Sequence, residues 1–174
     1  QDPARSVRRA IAGTVAAVGK FQVSNGGKCN EILQHTITAC QSQNAIDREI
    51  SMLLFYFLAS EVGDSLSDQF NQLRELFVRM LQDKESAVRI MALKASAQVL
   101  EHVSATEHGV TFSGVIPVML NAVKHAVASG EDGAAVMAFD LMTTMADADA
   151  LPLLNPYITP IMQLILETSS RDDC

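Results

Sequence analysis

Apolar residues recur along this chain at steps of three and four and never alternate with polar ones over a strand length. Val7, Ile11, Val15 and Val18 place one such stripe on a helix over residues 4–18, closed near Gly19. After Ser24-Asn25-Gly26-Gly27 a second helix is predicted over 29–41. A third spans 45–62 with Ile46, Ile50, Leu53, Leu54 and Phe57 as its stripe, and Gly63-Asp64 breaks it. The fourth covers 66–81, where Phe70, Leu73, Phe77, Met80 and Leu81 share a face. The fifth covers 85–103, with Val88, Met91, Ala92, Ala95 and Val99 recurring at helical steps. A sixth is read over 113–128 and a seventh over 134–145. For the eighth, Asn155 is the expected N-cap, Pro156 the first helical residue and Pro160 a slight bend. Ile158, Ile161, Ile165 and Leu166 continue its stripe. The predicted chain is all-α.

A fixed period underlies these helices. Asp2-Pro3-Ala4-Arg5-Ser6-Val7-Arg8 and Asp83-Lys84-Glu85-Ser86-Ala87-Val88-Arg89 both read Asp, four residues, Val-Arg, 81 positions apart. Arg48 lies midway, also near a helix start. About 40 residues per two-helix unit is the spacing of HEAT and armadillo arrays. Such units stack because each helix pair has an apolar face that only its neighbour covers. In the tight turn, an Asp accepts backbone N–H groups and meets an Arg of its own or the adjacent unit. The expected ladder residues are Asp2, Arg8, Arg48, Asp83 and Arg89. Ser42 departs from the pattern in the second unit, as does Val136-Met137 in the fourth. The expected architecture is an α-α superhelix, a HEAT-repeat solenoid of about eight antiparallel helices in about four pairs. Residues 1–174 are read as one such array, a fragment of a larger protein.

Charge narrows the choice of partner. Residues 129–174 hold eight acids and one base, so the net charge of −7 lies wholly in the last quarter. Nucleic-acid binding needs a basic footprint and is not expected. Nor is a membrane span, since no run approaches about 18 uninterrupted apolar residues. Cys29 and Cys40 sit roughly 16 Å apart on one predicted helix, beyond disulfide reach. No His pair has metal-ligand spacing and no nucleophile motif is present, so no enzyme activity, metal or cofactor is expected. The acidic residues Glu131, Asp132, Asp140, Asp147 and Asp149 are the candidate partner-binding set, facing a basic protein. The competing reading of the same charges is a solvated face.

Three segments carry a family resemblance. Ala134-Ala135-Val136-Met137-Ala138-Phe139-Asp140 precedes an acidic loop, followed by Leu151-Pro152-Leu153-Leu154-Asn155-Pro156-Tyr157-Ile158. With the Asp-Pro-x-x-x-Val-Arg-Arg start, this resembles the importin-beta (karyopherin-beta) family, most similar to the importin-four and importin-five type. The resemblance implies a nuclear transport receptor shuttling between cytoplasm and nucleus. Its partners would be basic cargo, the Ran GTPase and Phe-Gly nucleoporins. The alternative is a HEAT assembly scaffold of another complex, phosphatase-scaffold-like, with no transport role. Apolar faces at the two ends are also expected to let the fragment self-associate.

Overall fold

The computed structural model describes residues 3–27, 29–62, 69–103, 107–130, 136, 140, 143 and 151–169. Among them every regular element is helical. In chain order these are α1 (Pro3–Ser24), α2 (Asn30–Ala39), α3 (Ala45–Val62), α4 (Phe70–Leu81), α5 (Ser86–Val103) and α6 (Glu107–Phe112). A 3-10 turn (Ser113–Val115) leads into α7 (Ile116–Ala128). Then come α8 (Leu151–Leu154), a second 3-10 turn (Asn155–Tyr157) and α9 (Ile158–Ser169). Val136, Asp140 and Thr143, from the predicted seventh helix, are helical.

The helices form two rows. α1 packs on α3 and α3 on α5, while α2 packs on α3 and α4 on α5. α7 lies against α4 and α5, and α9 against α7. α1 has no principal contact with α5 or α7, so the described helices follow one another in a row and do not close around one centre. This is the architecture of a helical-repeat solenoid. Its core runs through the row: Leu33, Met52, Phe55, Leu58, Leu73, Phe77, Leu100, Phe112 and Met119 are all fully buried.

Local chemistry explains the element ends. Asn44 caps α3, its Oδ1 accepting the Ile46 N–H at 3.0 Å. α1 runs through Gly19 and stops at Gly26, whose φ of 76° suits glycine. There Gly26 N–H donates to Val23 O at 3.0 Å and Gly27 N–H to Gln22 O at 2.9 Å, a Schellman cap. Gly19 serves packing instead of ending the helix. A Cβ there would sit 3.3 Å from Leu58 Cδ2 and 3.6 Å from Ile32 Cδ1. Gly19→Ala is therefore expected to be close to neutral, the better helix propensity offsetting the tight contact. Gly19→Leu should cost about 1–3 kcal/mol in urea unfolding by overpacking the α1–α3 seam.

Prolines accompany the two 3-10 turns. Pro117 offers no N–H to the Ser113 carbonyl, and the Ile116 N–H donates to Ser113 O in its place, tightening the chain into a 3-10 turn. A second 3-10 turn lies 42 residues on at Asn155–Tyr157, with Pro156 inside it and the Ile158 N–H donating to Asn155 O. The stretch Gly109–Ala128 is long and apolar enough by composition to suit a membrane span. Here its apolar side chains Phe112, Val115, Ile116, Met119 and Val123 are buried in the protein core.

Several sequence expectations need correction. Asn155 is not an N-cap, since α8 already precedes it. The sixth helix starts earlier than residue 113, at Glu107. The stripe read on α1 is largely on the wrong side. Val7, Ile11 and Val18 are exposed, and the buried face is Ala12, Ala16 and Gly19. On α3 the buried residues are Met52, Phe55, Leu58 and Ala59, whereas Ile46 is exposed. On α9, Leu164 is buried and Ile158 and Leu166 are exposed. The cause is common to all three. Each of these helices carries apolar residues on more than one side, so spacing alone does not say which side faces inward. α4 and α5, whose stripes are unambiguous, bury the residues expected of them.

Candidate functional site

The turn between α4 and α5 holds a densely hydrogen-bonded polar cluster. Asp83 is placed there by the end of α4, two residues upstream. Its Oδ1 accepts the Glu85 N–H at 3.0 Å, which fixes the carboxylate at the entry to α5. Arg48 reaches it from the first turn of α3, one unit earlier. Arg48 Nε donates to Asp83 Oδ2 at 2.7 Å and Nη2 to Oδ1 at 2.9 Å, a two-pronged pair. Arg48 Nη1 is taken by the Ser42 and Gln43 carbonyls at 2.9 and 3.1 Å. Each side chain of the pair is only 8% exposed. The Arg48–Asp83 contact runs between adjacent units, not within one.

Arg89 repeats the anchoring half of this pattern, with Nη1 donating to the Asp83 and Lys84 carbonyls at 2.9 and 3.0 Å. It lines a polar groove of about 570 Å³ together with Gln82, Asn121 and His125. Asp2 lies outside the described residues. Arg8 is half-buried on α1, where it shares a small depression with Arg9, Glu49, Leu53, Met91 and Lys94. The Arg9 guanidinium stands 5.6 Å from the Phe57 ring centroid, over its face. Ser42, in the Asp place of the second unit, donates its hydroxyl to Asp47 Oδ2 at 2.7 Å and accepts the Asn44 N–H at 3.1 Å.

Burial by itself would raise the Asp83 carboxyl. The Arg48 hydrogen bonds, the Glu85 N–H and the nearby Arg48 and Lys84 charges outweigh it and hold the group below the usual carboxylate range. Arg48 is raised in turn, first by its hydrogen bond to Asp83. A carboxyl that binds its proton less readily when folded stabilises the fold above the ordinary carboxylate range. That stabilisation fades as pH falls through the lowered folded value. Unfolding free energy measured against pH should therefore drop below about pH 4, and Asp83→Asn should flatten that limb.

Of the acidic candidate set, Asp140 is helical and exposed. Glu131, Asp132, Asp147 and Asp149 lie outside the described residues. Leu73, Phe77 and Met80, whose chemistry would also suit a groove for aromatic partners, are buried in the core. Cys29 and Cys40 are free and buried. Burial pushes the Cys40 thiol up to about 12, against a Ser51 hydrogen bond and the Arg79 charge. Burial also raises Cys29, so neither supplies a thiolate at neutral pH. The structural feature that sequence reasoning missed is an apolar groove between α1, α2 and α3. Its signal was the small residues at Val15 and Thr36 where the next unit carries phenylalanine.

Comparison with known proteins agrees with this architecture. Searches of curated proteins and of solved structures found no match. A family profile described as "IPO5-like, TPR repeats" matches residues 3–164. Tetratricopeptide repeats have a period of about 34 residues. The starts of α3 and α5 are 41 residues apart, so the units of this chain have the longer HEAT-type period. With nearly the whole chain matched and its helices stacked in a row, the protein belongs to the IPO5-like helical-repeat family, an importin-beta-type array.

Proposed function

We propose that the chain is a segment of a nuclear transport receptor, a non-enzymatic scaffold for import of basic cargo under control of Ran. The observation that carries this reading is the family match over residues 3–164 on a row of stacked helix pairs. In such a receptor, cargo and the GTP form of Ran bind in a mutually exclusive way, a negative coupling through the superhelix. Phe-Gly nucleoporins are the third partner class, and shuttling between cytoplasm and nucleus follows. The acidic last quarter, including exposed Asp140, supports a basic cargo. Glu131, Asp132, Asp147 and Asp149 are proposed to complete that surface.

The deciding experiment is a pull-down with the full-length receptor that bears this segment. GTP-loaded Ran should be retained and should release a bound basic cargo. Absence of Ran binding by that full-length protein would remove the transport reading.

The 174-residue chain presents apolar faces at both ends of the row, Val7, Ile11, Val18 and Phe21 on α1 and Ile158, Met162 and Leu166 on α9. We expect it to self-associate through them, seen as a concentration-dependent rise in sedimentation coefficient. A monomer at all concentrations would count against this.

A further inference from the structure

We infer that the groove between α1, α2 and α3 is a docking site for a partner peptide carrying an aromatic side chain beside basic residues. The groove holds about 370 Å³, and Val15, Ile32, Ala39, Ile50 and Leu54 form its apolar lining. Its two hydroxyls are turned away from any ligand. Thr36 Oγ1 donates to Ile32 O and Ser51 Oγ to Asp47 O, each at 2.7 Å, within their own helices. A surface of this kind gives up water readily to an apolar group.

The internal repeat says which group fits. Arg8 and Arg48 hold equivalent places 40 residues apart, and the same step takes Val15 to Phe55. Ser42 and Asp83 are equivalent 41 residues apart, and that step takes Thr36 to Phe77. Phe55 and Phe77 are fully buried and meet edge to face, ring centroids 5.3 Å apart. The junction between the second and third units therefore fills this space with two rings, one from each. The preceding junction has an isopropyl group and a short hydroxyl-bearing side chain instead, and the space is open. An incoming aromatic ring would restore the packing that the next unit already has.

Charge supplies the second part. Among the described residues Asp47 is the only carboxylate lining the groove, His35 is the other titratable side chain there, and no Lys or Arg lines it. Among the same residues Asp47 Oδ2 accepts the Ser42 hydroxyl and its Oδ1 the Asn44 amide, neutral donors that leave the negative charge at the groove without a cationic partner. A Lys or Arg next to the aromatic residue would meet that charge. The inference stands independently of the transport reading.

The test titrates the 174-residue chain against fluorescein-labelled peptides Gly-Lys-Phe-Lys-Gly, Gly-Lys-Ala-Lys-Gly and Gly-Ser-Phe-Ser-Gly, followed by anisotropy. The first should bind about tenfold or more tightly than the other two. Val15→Phe, which restores the ring of the next unit, should weaken binding about tenfold or more while leaving the melting temperature unchanged or higher. Ala39→Leu fills the groove from the opposite wall, should weaken binding likewise, and decides the matter if Val15→Phe does not fold. Asp47→Asn should remove the preference for lysine flanks. Equal binding of the Phe and Ala peptides overturns the proposal. So does equal binding of the Lys- and Ser-flanked Phe peptides, or undiminished binding by Ala39→Leu.

Discussion

Arg48→Ala should lower the unfolding free energy by about 3 kcal/mol, a large share of the roughly 5–15 kcal/mol that holds a domain together. The cost is the unpaired anion left behind, more than the lost attraction. Asp83 sits in a site where its side chain is 8% exposed, and among the described residues Arg48 supplies two of the three hydrogen bonds to its carboxylate. Without Arg48 the carboxylate keeps only the Glu85 N–H, far from the hydration it has in the unfolded chain. Asp83→Asn should be milder, about 1–2 kcal/mol, because the amide oxygen still accepts. Replacing both partners, Arg48→Met with Asp83→Leu, should recover most of the loss, since no charge then remains buried. Urea unfolding of the two single variants and the double variant gives the coupling energy directly. A double variant as unstable as Arg48→Ala would show that the pair matters through something other than charge. At about 2–4 °C per kcal/mol for a chain of this size, Arg48→Ala should melt about 10 °C lower.

Phe77→Ala should cost about 4 kcal/mol, because three units of the row meet on that ring. Phe77 lies on α4, fully buried, with its ring centroid 5.3 Å from that of Phe55 on α3 and 5.5 Å from that of Phe112 on α6. The interplanar angles of 61° and 75° place ring edges against ring faces. Each such contact adds about 0.5–1.5 kcal/mol beyond the area removed from water. Truncation loses both and leaves a cavity whose walls are helices fixed by other contacts, so little of it collapses. Phe77→Leu keeps most of the volume and should cost about 1.5 kcal/mol. The check is again denaturant unfolding, with amide hydrogen exchange expected to speed up in α3, α4 and α6 together. Faster exchange confined to α4 would mean that the ring does not tie the units to one another.

How much of this was legible beforehand differs from element to element. α3 is found over the predicted residues 45–62, because Asn44 caps its start and Gly63-Asp64 follows its end. α4 and α5 bury the predicted stripes; on α4 the polar residues keep to the opposite side, and on α5 the polar Ser96 is buried as well, its hydroxyl donating to Ala92 O. An acid at a tight turn with an Arg six residues on is a short-range pattern, so Asp83 and Arg89 are legible in the sequence as a pair of polar anchors. The true partner of Asp83, Arg48, lies 35 residues away, and only the stacking of α3 beside α5 selects it. Val7, Ile11 and Val18 show the opposite outcome. Their spacing is regular, yet the small residues Ala12, Ala16 and Gly19 face inward, because α1 and α3 approach too closely there for larger side chains. The groove beside Val15 and Thr36 was not read at all. A small residue is visible as such in a sequence, but the space it leaves exists only once three helices surround it.

The sequence by itself determined that this chain is helical, that its units recur about every 40 residues and that its acidic excess lies at one end. These properties follow from backbone propensity, periodicity and charge, which act over a few residues or simply add along the chain. The tertiary structure decided which side of each inner helix is buried, which unit Asp83 is tied to and where an apolar groove stays open. Those depend on distances between residues far apart in the chain, which are set only when neighbouring helix pairs pack and exclude water together.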